Sequence, residues 1–89
     1  MIHAFIYFDT TDADGFANAA SQGAGSLEGA KGYHGMRLLR GIEDPARYLL
    51  MVDWDSVDDH MAWMGANETA FLGMLMPFLS GRPEIKHFA

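Results

Sequence analysis

The sequence has no cysteine and few basic residues. Small secreted domains usually carry disulfides, so the absence of cysteine favours a reducing compartment, and we expect a cytoplasmic protein. Six Lys and Arg stand against twelve Asp and Glu, which gives a net charge of −6, and the basic residues form no cluster. Because binding to a phosphate backbone needs a basic face, a nucleic-acid partner is not expected.

Long hydrophobic runs are also missing. The longest apolar stretch, residues 71–79, contains Pro77 and is too short to cross a bilayer. Residues 1–4 lack the basic region of a signal peptide. The four histidines do not fall at the spacing of metal ligands, and no cysteine supports them. We therefore expect no membrane partner and no metal site.

The first half of the chain predicts a strand followed by a weak helix. Hydrophobic residues make up 49% of the 89 residues, which is enough for a core and leads us to expect a single domain over residues 1–89. Aromatic and β-branched residues dominate residues 2–8, which is typical of a strand. Helical spacing then relates Phe16, Ala20, Gly23 and Leu27. Glycines lower helix stability, so this helix should fray after Gln22.

The second half predicts a hairpin, two helices and a last strand. Strands are expected at residues 36–39 and 47–54, on either side of Pro45. Ser56 should cap a helix that runs to Met64, and Gly65-Ala66 should separate it from a second helix, capped by Asn67 and ending near Leu79. A strand at residues 84–88 completes the order β-α-β-β-α-α-β, which predicts an α+β, ferredoxin-like fold with a four-stranded antiparallel sheet.

Two of the strands are apolar on both faces. In residues 2–8, one alternating set is Ile2, Ala4, Ile6 and Phe8 and the other is Phe5 and Tyr7; in residues 47–54, the two sets are Tyr48, Leu50, Val52 and Trp54, and Leu49 and Met51. All of these residues are apolar or aromatic, so whichever face packs on the helices, the other is apolar as well. An antiparallel sheet with helices on one side normally shows polar residues on the other. An apolar patch of that size is rare on a soluble monomer, so we expect a homodimer formed by sheet-to-sheet packing.

These segments resemble a known family. The residues that carry the likeness are Gly35–Arg40, Glu43-Asp44-Pro45, Arg47–Trp54, Ser56 with His60, and the ending Gly81–Glu84 with residues 85–88. Together they are similar to the antibiotic biosynthesis monooxygenase domain. The resemblance implies a dimeric α+β barrel with a pocket between the sheet and helices of each subunit. It also implies oxidation of an aromatic phenol, quinol or polyketide-like substrate without a bound cofactor.

One branch of this resemblance is disfavoured by the residues themselves. Members that degrade haem have an asparagine on the first strand and a histidine late in the helical region, whereas this chain offers Tyr7 and Phe8 and has no histidine in residues 71–76. Trp63 does match the tryptophan of that branch, but a tryptophan without the axial histidine does not make a haem site. We therefore expect no haem and no other cofactor.

His60 is the predicted catalytic residue. A histidine near the start of a helix that covers the sheet can act as a base or bind a substrate oxygen. The competing interpretation is a packing or capping histidine. Trp63, Phe71 and Trp54 are predicted to bind a planar ligand, although a tryptophan at a strand end is often core.

His34 and Arg37 complete the predicted substrate-binding set, and three residue steps place them on opposite faces of a strand. A helix-facing Arg37 could stabilise a phenolate or superoxide; the alternative is an arginine at the rim, paired with Asp53 or Glu84. Two functions other than a monooxygenase stay open: a non-catalytic small-ligand-binding or stress-related dimer, and a cyclase or isomerase that uses His60 without oxygen.

Overall fold

The computed structural model describes residues 1–89. Its elements in chain order are strand β1 (Ile2–Asp9), helix α1 (Ala13–Gly23) with a 3₁₀ turn (Ala24–Leu27), strands β2 (Tyr33–Arg40) and β3 (Arg47–Trp54), helix α2 (Val57–Leu75) with a 3₁₀ turn (Met76–Phe78), and strand β4 (Glu84–Phe88). The strands form one antiparallel sheet in the order β2-β3-β1-β4. This is the predicted α+β, ferredoxin-like fold. Neither helix has the length and apolar character needed to cross a membrane.

The buried face of helix α1 consists of the residues whose helical spacing the sequence showed. Asp12 caps the helix by accepting a hydrogen bond from the Gly15 amide at 3.0 Å. Phe16, Ala20 and Gly23 are buried, and the α-helix ends at Gly23, where the 3₁₀ turn begins. A Cβ on Gly23 would lie 2.9 Å from the Phe71 ring, so glycine allows α1 and α2 to pack closely at this point.

The predicted break at Gly65-Ala66 is wrong, because α2 is one continuous helix of 19 residues. Glycine in a helix interior costs only about 1 kcal/mol relative to alanine. The helix buries Trp63 on one side of the glycine and Phe71 and Leu75 on the other, and burial of such side chains stabilises by about 2 kcal/mol each. Asn67 caps nothing; its side-chain amide donates to the Trp63 carbonyl at 3.0 Å.

This geometry predicts that Gly65→Ala stabilises the protein by about 0.5–1 kcal/mol, because Gly65 is helical and a Cβ there meets no atom within 4 Å. Gly29 is the matched control. It has equally open space around it, but its φ is +80°, so Gly29→Ala should destabilise by about 1 kcal/mol. Urea unfolding of both variants measures the difference, and a destabilised Gly65→Ala would contradict this account of α2.

A register shift at the start of β2 changes the predicted faces of that strand. Strict alternation along this strand predicts that His34 and Met36 share one face and that Tyr33 and Arg37 share the other. The ladder shifts between Tyr33 and Gly35, so that Tyr33 lies opposite Trp54 and Met36 opposite Val52. Because Trp54 and Val52 are both buried, Tyr33 and Met36 share the core face, and the predicted grouping of Tyr33 with Arg37 is wrong.

The face of the sheet opposite the helices carries a patch of large apolar side chains, which we call the outer apolar face: Phe5, Tyr7, Leu39, Leu49, Met51 and Phe88. Its aromatic rings contact one another, since Phe5 and Phe88 meet edge to face at 5.1 Å between centroids. Leu39 and Phe88 are 38% and 53% exposed. The chain itself supplies no element that covers this face.

Candidate functional site

A cavity of about 140 Å³ lies between the sheet and α2, and its walls are mostly apolar. The sheet contributes six residues, all on its helix-facing side: Ile6, Phe8, Leu50, Val52, Trp54 and Ile85. Helix α2 contributes six more: His60, Trp63, Met64, Glu68, Phe71 and Leu72. Leu27, Arg82 and Pro83 close the remaining sides. A concave, largely apolar pocket with a few polar groups is the usual form of a small-molecule site.

The turn between β3 and α2 sets the position of His60. The Ser56 hydroxyl caps α2 by accepting from the Asp59 amide at 3.1 Å, which starts the helix directly after β3. One helical turn later, the His60 ring lies back over Trp54 at the end of β3, with centroids 5.1 Å apart and ring planes 18° apart. His60 is 1% exposed.

His60 also contacts a second histidine, His87, which lies 27 positions away in the sequence. Nδ1 of His60 lies 2.9 Å from Nε2 of His87 on β4. In the β1–β4 ladder His87 lies opposite Ala4, which is fully buried, so the imidazole of His87 is on the helix-facing side of the sheet. The alternation of Ile85 and His87 in a strand beside β1 was the sequence pattern that could have identified this pair.

Burial and, to a smaller extent, the neighbouring His87 lower the pKa of His60 from its ordinary value of 6.5 to about 4. His60 is therefore neutral at pH 7, with a proton on one ring nitrogen and a lone pair on the other. Its Nδ1 is engaged with His87, and its Nε2 has no hydrogen-bond partner within the protein. A neutral imidazole with a free nitrogen can accept a proton or a hydrogen bond from a ligand in the cavity.

We expect the depressed pKa of His60 to make folding stability depend on pH. Between pH 6.5 and pH 4 the unfolded chain binds a proton at this histidine and the folded chain does not, so stability falls as the pH falls through this window. The loss between pH 7 and pH 5 should be about 2 kcal/mol. Denaturant titrations at the two pH values measure it. His60→Gln is the control, and it should show a difference smaller by about that amount; an equal difference would refute the assignment.

Three aromatic rings form a continuous wall of the cavity. Trp54 and Trp63 lie 6.3 Å apart between centroids, and Trp63 meets Phe71 edge to face at 5.6 Å. Trp63 donates from Nε1 to the Ser26 carbonyl at 3.3 Å, which ties α2 to the turn after α1. Nε1 of Trp54 is buried without a hydrogen-bond partner, so packing alone holds that ring.

The structure brings four of the six predicted site residues together, and it places the other two elsewhere. His60, Trp63, Phe71 and Trp54 all line the cavity. His34 lies outside it and pairs with Asp55 on the surface. Arg37 lies opposite Met51 on the side of the sheet away from the helices, and it is exposed.

The neighbours predicted for Arg37 have other partners. Asp53 pairs with His3, and Glu84 pairs with Lys86. The charged residues that do line the cavity are Glu68 and Arg82, neither of which was a predicted site residue. Their sequence context, an exposed helix position and a Gly-Arg-Pro loop, carries no pattern that separates them from ordinary surface residues. No three His, Asp or Glu side chains are grouped as a metal site would require.

Comparison with known proteins identifies a family. The family model described as antibiotic biosynthesis monooxygenase matches residues 1–71. The uncharacterised protein YczJ of Bacillus subtilis (strain 168) is 32% identical over 75 residues, which cover 82% of this chain and 79% of that protein.

Solved structures show the same fold. An antibiotic biosynthesis monooxygenase candidate from Bordetella bronchiseptica superimposes with a TM-score of 0.92 at 27% identity, covering 99% of this chain and 94% of that one. SnoaB, a cofactor-independent oxygenase from Streptomyces nogalater, superimposes with a TM-score of 0.86 over 99% of this chain and 90% of its own. Because SnoaB is only 14% identical, its likeness establishes the fold alone.

Proposed function

The chain belongs to the antibiotic biosynthesis monooxygenase family, and from that premise we propose that it oxidises a small aromatic phenol or quinol with molecular oxygen and without a bound cofactor. One observation carries the proposal. His60, neutral and with Nε2 free, lines an apolar cavity whose wall is built of aromatic rings. Such a cavity suits a planar aromatic ligand, and His60 supplies the base that a phenol needs before it can react with oxygen.

The substrate itself supplies the electrons in this reaction. His60 takes the phenol proton, and the phenolate transfers one electron to O₂, giving a substrate radical and superoxide. These two combine in a C–O bond at a ring carbon, and the proton held by His60 is returned to the peroxide oxygen to complete the hydroperoxide. Loss of water from the hydroperoxide then leaves a quinone, so a phenol and O₂ become a quinone and H₂O. Arg82 lines the cavity and makes no ion pair, so it offers a positive charge to the phenolate.

The size of the cavity supports a small substrate. At about 140 Å³ it is close to the roughly 150 Å³ apolar cavity that accommodates benzene in an engineered protein. A single aromatic ring fits that space, while the fused three- and four-ring systems of polyketides exceed it. Among the aromatic phenols, quinols and polyketide-like compounds that the family resemblance implies, the volume of the cavity favours a phenol or hydroquinone with one ring.

The working unit that we propose is a homodimer, with the outer apolar faces of two copies packed together. An exposed apolar patch of this kind is unusual on a monomeric protein, and a two-fold pair is the simplest arrangement that covers it. Because the cavity lies on the helix-facing side of the sheet, dimerisation through the other side leaves each cavity intact.

Oxygen uptake measured against a graded panel tests the function: substituted phenols and hydroquinones, naphthols, and three-ring anthrones. We expect quinone formation with one equivalent of O₂ consumed per substrate, fastest with single rings and absent with anthrones. Binding of the panel without oxygen uptake would instead indicate a ligand-binding protein. Turnover that continues without oxygen would indicate a cyclase or isomerase. Either result would overturn the proposal.

A further inference from the structure

The two histidines form a pair that reaches from the cavity toward the surface. His60 lines the cavity and is 1% exposed, whereas His87 is absent from the cavity wall and only partly buried. His87 lies on β4, which is an edge strand of the sheet and therefore has no neighbouring strand on one side. Nδ1 of His87 makes no hydrogen bond within the protein. The order from inside to outside is thus cavity, His60, His87 and solvent.

The 2.9 Å contact between Nδ1 of His60 and Nε2 of His87 needs one shared proton. Two lone pairs or two N–H groups at that distance would repel each other, so one nitrogen donates and the other accepts. If Nδ1 of His60 donates, Nε2 of His60 carries the lone pair that a phenol proton requires. In that tautomer, one nitrogen of His60 can accept the substrate proton while the other donates its proton to His87.

We propose that His87 relays the substrate proton from His60 to solvent. This inference rests on the phenol oxidation proposed above. As the phenol proton binds Nε2 of His60, the proton on Nδ1 of His60 passes to Nε2 of His87. His87 then releases the proton on its own Nδ1 to water. The phenol O–H bond is broken, one proton reaches solvent, and both rings end neutral with their tautomers exchanged. When Nε2 of His60 later gives its proton to the peroxide formed from O₂, Nε2 of His87 returns a proton to Nδ1 of His60 and a proton from water binds Nδ1 of His87, so the starting tautomers are restored and no net proton is released.

The relay removes an electrostatic obstacle. A phenol has a pKa of about 10, and burial lowers the pKa of His60 to about 4, so an imidazolium at His60 would return its proton to the substrate at once. Passing the positive charge to the more exposed His87 avoids charging a buried ring. The other charged groups around the site are Asp59, which faces Lys31 at 4.0 Å, and Glu68 and Arg82 in the cavity wall. None of them hydrogen-bonds either imidazole.

Two properties of His87→Ala test the relay in turnover of a hydroquinone. At pH 7, kcat should fall at least tenfold while KM changes less than threefold, because His87 does not line the cavity. Activity should rise again as the pH approaches the pKa of the substrate, where no proton needs to be removed. Added imidazole should restore activity at pH 7, since position 87 is partly exposed, whereas thiazole, a ring of similar shape and far weaker basicity, should not.

Lys86→Gln is the matched control, one residue away on β4 and facing the other side of the sheet. It should keep the wild-type pH profile and show no effect of imidazole. Loss of activity in His87→Ala that neither high pH nor imidazole restores would assign His87 a structural role and overturn the relay. Unchanged activity in His87→Ala would overturn it as well.

A measurement on the resting protein separates this inference from the proposed function. Nitrogen-15 NMR of the imidazole rings at pH 7 should show a protonated Nδ1 and an unprotonated Nε2 on His60, with an unprotonated Nε2 on His87. This result needs no turnover. The opposite tautomer, with Nε2 of His87 donating, would overturn the relay even in an active enzyme. If NMR shows the expected tautomers but the protein oxidises no compound of the panel, the proposed function is wrong and the tautomer assignment stands.

Discussion

His60→Gln is expected to lower kcat for a hydroquinone by about 100-fold or more, because general base catalysis by a positioned side chain typically contributes 10²–10⁴-fold. Glutamine keeps a polar group near His87 and part of the packing on Trp54, but it cannot take a proton at pH 7. Ligand affinity should change little, since the aromatic wall of Trp63 and Phe71 is untouched. Single-turnover oxygen uptake separates the chemical step from binding.

The same substitution at His3 serves as the control. His3 pairs with Asp53 at 2.5 Å on the side of the sheet away from the cavity, so His3→Gln makes the identical change far from the chemistry. It should keep at least half of the wild-type rate. If His60→Gln retains wild-type kcat, His60 is a packing histidine, and the base must be sought elsewhere in the cavity.

Met51→Glu is expected to dissociate the dimer. Met51 lies at the centre of the outer apolar face, opposite Phe5 on one side and Arg37 on the other. In a two-fold interface each substitution appears twice, and burying a carboxylate costs several kcal/mol unless it is well paired. The dissociation constant should rise at least 100-fold, which corresponds to about 2.7 kcal/mol. Multi-angle light scattering over a concentration series measures it directly.

Met61→Glu makes the same chemical change on helix α2, where Met61 is 44% exposed and lies outside the cavity wall. It should leave the molecular mass and its concentration dependence unaltered. In the separated Met51→Glu chain the new carboxylate lies on the side of the sheet away from the helices, where water hydrates it, so we expect that chain to remain folded. A wild-type protein that is monomeric at micromolar concentration would contradict the dimer before any variant is made.

The sequence predicted the fold closely because its patterns are strong. Alternating and continuous apolar residues located the β1 and β3 strands, and helical spacing from Phe16 located α1. It failed at Gly65, where local propensity suggested a break and tertiary packing of Trp63 and Phe71 decided otherwise. The predicted faces of β2 were also wrong at the start of the strand. A one-residue register shift there reverses the face of the residues before it, and the amino-acid composition of the strand does not reveal such a shift.

The candidate site was predictable only in part, for a related physical reason. His60 and Trp63 share one helix face, so their common position in the cavity follows from local periodicity. The contact of His60 with His87 joins residues 27 positions apart and depends on the exact register of β4 against β1. Arg37 was misplaced as a candidate for a helix-facing position because strand alternation alone cannot say which face meets the helices.

The hydrogen bond from Trp63 to the Ser26 carbonyl links the cavity with the segment that follows α1. That segment holds two glycines, Gly25 and Gly29, and its buried residue Leu27 also lines the cavity. The other hydrogen bonds of this segment are local: the Ser26 hydroxyl donates to the Gly23 carbonyl, and the Glu28 and Ala30 amides donate to the Gly25 and Leu27 carbonyls. We therefore expect a ligand in the cavity to increase the protection of amide protons in residues 24–30, so that hydrogen exchange in this turn detects binding even when no reaction follows.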